Sequence, residues 1–187
     1  ARLDHLARMM STSKDETSRI EAFKYLEPKS QSGEPNSLYW LGQWYAASTK
    51  PEDQKNAEKW LTMALAQDAN VAVKAWAFSS LAKLNGLGPN ATKILDEQAP
   101  KFAKGKDETM KKVGYAYLEQ RANAEDPDAM LWMGFRFAEG DGIPMNKKLA
   151  RDWFLKAALQ HKNQIVKNKA FEALGERHPP PFPATET

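Results

Sequence analysis

Apolar residues along this chain recur at three- and four-residue spacing, and no alternating stretch of useful length appears. That period predicts helices and not strands. Helices are expected over 16–31, 36–47, 53–68, 70–84, 90–103, 107–124, 127–139, 146–160 and 163–175, with a short one over 2–10. Start and stop signals agree with these spans. Asp126-Pro127-Asp128 supplies an N-cap with proline in the first turn, Pro51-Glu52-Asp53 opens another helix, and Gly86-Leu-Gly88-Pro89 closes one. Pro100 is expected to end or kink its helix, because it lacks an N–H to donate. The stretch His178-Pro-Pro-Pro-Phe-Pro183 reads as an extended, polyproline-type tail over 178–187.

The helices repeat. Ser37-Leu-Tyr-Trp-Leu41-Gly42-Gln-Trp-Tyr45, followed by Asn56-Ala57-Glu-Lys-Trp60-Leu-Thr-Met-Ala64, aligns with a second pair of segments. These are Ala129-Met-Leu-Trp-Met133-Gly134-Phe-Arg-Phe137 and then Leu149-Ala150-Arg-Asp-Trp153-Phe-Leu-Lys-Ala157-Ala158. A half-length match runs over 17–33, with Ala22 lying 35 residues before Ala57, and Gly114 precedes Ala150 by 36. A period of 35–36 is that of a two-helix solenoid unit. Glycine inside a helix costs roughly 1 kcal/mol against alanine, so two at equivalent places predict close helix approach. Ala57, Trp60 and Ala64 are expected to form the complementary face. The segment 70–125 holds one helix more than the period predicts.

These residues resemble the Sel-like repeat family, relatives of the tetratricopeptide repeats. The family pattern is small-x-x-x-Leu-Gly-x-x-Tyr, Gly-x-Gly-Val-x-x-Asp, then Lys-Ala-x-x-Trp-x-x-x-Ala-Ala-x-x-Gly. Residues 129–161 match it closely, with Gly140-Asp-Gly142-Ile143-Pro144 as the loop and Asn146 in place of Asp. Residues 37–68 match in both helices, but Ala47-Ser-Thr-Lys-Pro51 replaces the glycine loop. Over 70–125 the match is weakest, with Trp76-Ala77 where Leu-Gly belongs. The resemblance implies an all-α superhelix of antiparallel two-helix repeats, here one domain over 1–177, that binds other proteins in bacterial secretion, envelope or signalling settings. It carries no catalytic residues.

Composition narrows the function further. Of 187 residues 42% are hydrophobic and 27% charged, which supports a folded core. No run reaches the roughly 20 apolar residues of a membrane span. Cysteine is absent, so thiol catalysis, disulfides and zinc–thiolate sites are excluded. The three histidines, His5, His161 and His178, stand in no metal-ligand spacing, and no cofactor motif occurs. The carboxylate pairs Asp126/Asp128 and Glu52/Asp53 sit at helix starts, where the helix dipole accounts for them. A net charge of +3 is too mild for nucleic acid. Lys101, Lys104, Lys106, Lys111 and Lys112, and Lys147, Lys148 and Arg151, read as solvated faces beside acidic neighbours such as Asp107 and Glu108. The chain starts at Ala1, which reads as a removed leader or a fragment boundary. The expected setting is periplasmic or otherwise extracytoplasmic, with the cytoplasm as the alternative.

Six tryptophans carry the remaining information. Trp60 and Trp153 hold the repeat's aromatic position and are expected in the core, as is Trp76. Trp40 and Trp132 stand one residue before the aliphatic–glycine pair, where the pattern has no preference, and Trp44 and Arg136 follow one turn later. This stripe either faces the concave groove or packs between helices. The groove reading makes Trp40, Trp44, Ser79, Trp132, Arg136 and Glu139 the contacts of a non-catalytic adaptor. Its partner would be another protein, such as a secreted toxin capped by its immunity protein, or an envelope or secretion component. The alternative function is a carbohydrate or peptidoglycan binder that stacks exposed tryptophans on sugar rings.

Overall fold

Helix starts in this chain are set by two devices, a short polar side chain that accepts from the first turn and a proline at the first helical position. The computed structural model describes residues 13–67, 70–160 and 163–175, together with His5, Met9 and Ser11. Among them are nine helices and no strand. These are α1 (Glu16–Gln31), α2 (Pro35–Ala46), α3 (Pro51–Leu65), α4 (Val71–Leu81), α5 (Pro89–Lys104), α6 (Glu108–Asn123), α7 (Pro127–Glu139), α8 (Lys147–Ala158) and α9 (Gln164–Ala173). All nine expected spans are met to within three residues at either end. His5 and Met9 are helical, whereas the rest of the helix expected over 2–10, His161 and the proline-rich tail lie outside the described residues.

The caps explain the boundaries. Asp15 accepts from Ser18 N at 2.8 Å, Asn70 from Val73 N at 3.2 Å, Asn146 from Leu149 N at 3.0 Å and Asn163 from Val166 N at 3.2 Å. Prolines open α2, α3, α5 and α7. Pro100 does not end its helix. α5 continues to Lys104, because burial of Ala99, Phe102 and Ala103 around the proline outweighs one missing backbone hydrogen bond. The basic stretch on α6 keeps an acidic neighbour, with Lys111 Nζ 3.9 Å from Glu108 Oε1.

Two compact units divide the chain, Ala1–Tyr115 and Ala116–Thr187, and the division falls within α6. In the first, α1 packs on α2, α2 on α3 and α3 on α4, and α2 also meets α4. In the second, α7 packs on α8 and α8 on α9, and α7 also meets α9. Consecutive helices packed in this way, with alternate helices also touching, make the all-α solenoid pattern. Three helices, α4, α5 and α6, stand between the two best repeats. That odd number is the extra helix expected there.

One residue joins α7 to the end of α6. Asp126 Oδ1 caps α7 by accepting from Ala129 N at 3.0 Å, while Oδ2 accepts from Arg121 Nη2 at 2.7 Å. Asp126→Ala should cost about 1–2 kcal/mol in urea denaturation, and Asp126→Asn, which still caps, should recover much of it. A loss below a few tenths of a kcal/mol for Asp126→Ala would show that the cap contributes nothing.

Candidate functional site

The two repeats are built around a glycine notch. A Cβ on Gly42 would stand 2.7 Å from Leu61 Cγ, and one on Gly134 would stand 2.5 Å from Phe154 Cδ1 and closer still to Cε1. Neither distance is tolerable, so glycine is what lets α3 lie against α2 and α8 against α7. Gly114 does the same for α5 and α6, where a Cβ would come within 2.7 Å of the Ala99 carbonyl oxygen.

The residue that fills each notch is not the tryptophan. Leu61 and Phe154, one position later, are the buried ones, and they sit one turn after Ala57 and Ala150. Trp60 and Trp153 are only half-buried. Trp60 lies beside the cluster of Leu26 and Leu41, with Lys59 Nζ 4.9 Å from its ring centroid. Trp153 lines a shallow cleft of the second unit with Met130 and Leu159, and Lys156 Nζ is 4.4 Å from its ring. The expectation for Trp76 is overturned outright, since it is 41% exposed. Phe78 takes its place in the core, with its ring 5.1 Å from Phe102. Two residues along a helix are 200° apart, so burying Phe78 turns Trp76 outward.

The candidate contact residues fall in both units. In the first, Trp44 is held by α1: its Nε1 donates to the Arg19 carbonyl at 2.8 Å and its own carbonyl accepts from Arg19 Nη2 at 3.2 Å. Its ring is 4.8 Å from Phe23 and 5.1 Å from the Arg19 guanidinium. Trp40 is half-buried against the Leu26–Leu41 cluster, with Tyr39 at 4.8 Å. The stripe of Trp40 and Trp44 thus meets the preceding second helix, α1. Ser79 is half-buried on α4. In the second unit Trp132 and Arg136 lie one turn apart on α7, both half-buried, and Glu139 is exposed at the end of the same helix. The Arg136 carbonyl accepts from Gly140 N at 2.9 Å, and Gly140, at φ +72°, closes α7 in the left-handed conformation. Asp128, in the first turn of α7, is raised above its ordinary pKa by burial and by Asp126, against the pull of Lys169.

The Sel1 repeat model matches residues 35–68 and 127–161, the stretches of α2–α3 and α7–α8. The chain carries two Sel1 repeats. No curated protein and no solved structure matches it. Sel1 repeats generally mediate protein–protein interaction, and proteins built from them are typically non-catalytic scaffolds. No helix among the described residues is long and apolar enough to cross a membrane, and no group of three or more His, Asp or Glu side chains among them could hold a metal. In the first Sel1 repeat the missing glycine loop is replaced by a side chain. Gln54 Nε2 donates to the carbonyls of Ala46 and Ser48 and so holds the end of α2.

Sequence reasoning missed one feature of the first unit. A groove of about 370 Å³ runs between α2 and α4, with Tyr39, Gln43 and Ser80 in its wall. The stripe that opens onto it is 39/43, one residue before the 40/44 stripe. The signal was present in the 37-residue step from Gln43 to Ser80, which form a hydrogen bond from amide to hydroxyl across the two first helices.

Proposed function

We propose that this Sel1-repeat chain is a non-catalytic adaptor that docks a protein partner on the face carried by its first helices. The observation that carries the reading is the outer stripe of α7. Trp132 and Arg136 are half-buried and Glu139 is exposed, while the opposite side of the helix buries Met130 and Gly134. Tryptophan and arginine are enriched at binding hot spots. In the first unit the contacts we assign are Ser79 on α4 and Trp40 and Trp44 on α2. The partner class we assign is a secreted toxin or a component of the envelope or secretion machinery, met in an extracytoplasmic compartment.

A photo-crosslinking residue placed at Glu139, which is exposed, tests the reading in the native host. A discrete protein adduct is expected from position 139 and none from Lys147, which is exposed on α8. Equal yields at both positions, or no protein adduct at 139, would contradict it.

A further inference from the structure

We propose that the α2–α4 groove of the first unit is a saccharide site that takes a neutral pyranose ring, a role separate from protein docking on α7. One end of the groove is lined by an aromatic side chain that has a second aromatic ring beside it. Tyr39 lines it, and Trp76 lies 5.7 Å away, ring centroid to centroid, at an interplanar angle of 43°. An indole left 41% open on a helix that buries its neighbours Ala75 and Ala77 exposes apolar area to water. A ligand with a flat C–H face recovers that loss, and the C–H face of a sugar ring is such a surface.

The other end is polar in a particular way. Gln43 follows Tyr39 by one turn on α2, and Ser80 follows Trp76 by one turn on α4, so the polar pair lies alongside the aromatic pair. The Gln43 amide nitrogen donates to the Ser80 hydroxyl, which leaves the amide oxygen to accept and the hydroxyl proton to donate. Thr49 and Asn85 add a further hydroxyl and a further amide to the lining. Each of these groups is neutral, and together they offer donors and acceptors in mixture. That is what adjacent sugar hydroxyls require, since every hydroxyl both gives and takes. Among the described residues no carboxylate lines the groove and Lys83 is the single charge, which is too little for a polyanion.

Size and rigidity fit as well. About 370 Å³ lies at the small end of the roughly 300–1,000 Å³ of small-molecule clefts, room for one or two rings. The loop wall is fixed before any ligand arrives, by Gln54 Nε2 on the carbonyls of Ala46 and Ser48 and by Lys50 N donating to Ser48 Oγ at 3.2 Å. Groups already held in place lose little freedom on binding.

The test titrates the full chain with glucose, N-acetylglucosamine, maltose and chitobiose, following the indole and side-chain amide resonances by NMR. At least one saccharide should bind with Kd in the millimolar range or below and shift the Trp76 indole and the Gln43 and Asn85 amides. Trp76→Ala should weaken that binding at least tenfold without lowering the melting temperature, Trp76→Phe should retain part of it, and Trp132→Ala should leave it unchanged. Silence from all four saccharides overturns the proposal. So does binding that Trp76→Ala leaves intact, or a proline-rich peptide that shifts these resonances where the saccharides do not. Loss of the adduct at position 139 would remove the docking role and leave this site standing.

Discussion

Phe154→Ala is expected to lower stability by about 3–5 kcal/mol, the usual cost of truncating a buried aromatic, while Trp153→Ala should cost less than half as much. Phe154 is 5% exposed, seats its ring in the Gly134 notch and meets Phe135 edge-on at 5.1 Å. Removing it takes away transfer energy and leaves a cavity between α7 and α8 that two helices held at their glycine cannot close. Trp153 stands on the flank of α8, half-open at its cleft, so water can follow the lost ring. Paired urea or thermal melts decide this. Equal losses for the two variants would return the tryptophan to the core and contradict the notch assignment.

Gly134→Leu sets two effects against each other. Leucine gains roughly 1 kcal/mol in helix propensity over glycine. Overpacking costs about 1–3 kcal/mol, and here it falls at the top of that range, because even the Cβ would meet the Phe154 ring at 2.5 Å. The variant should therefore melt below the parent. The coupling between the two sites gives a sharper readout. In a Phe154→Ala background the leucine has a cavity to enter, so the double variant should be more stable than Phe154→Ala alone. A rise in stability for Gly134→Leu by itself would show that the glycine does not mark a close approach.

The elements were legible because caps and prolines are local signals. Asp126-Pro127, Asn146 and Pro51 each act on a backbone within a few residues, and tertiary packing did not override them. Gly42 and Gly134 were legible for a similar reason, since an interior glycine has few uses besides close packing. Orientation about the helix axis was harder. The tryptophans at 60 and 153 and the residues that follow them are 100° apart, and sequence periodicity alone does not say which of two adjacent apolar residues points at the partner helix. Trp76 was misplaced because Phe78 competes for the same core two positions on. Pro100 does not end its helix, because burial on both its sides outweighs the missing hydrogen bond. The α2–α4 groove was missed because it depends on which stripes of two helices, 37 residues apart, come to face each other.

The central claim is that α7 turns a binding stripe outward while its glycine side holds the repeat together. The most direct measurement is calorimetric titration of the protein captured at position 139 against the parent chain and against Trp132→Ala with Arg136→Glu, each with its melting curve. The account predicts that the double variant keeps most of its stability, far more than Phe154→Ala does. It also predicts that binding weakens by about 2 kcal/mol or more, roughly thirtyfold, as an anchor is lost and a charge reversed. Unchanged affinity, or a fall in melting temperature as large as that of Phe154→Ala, would contradict it.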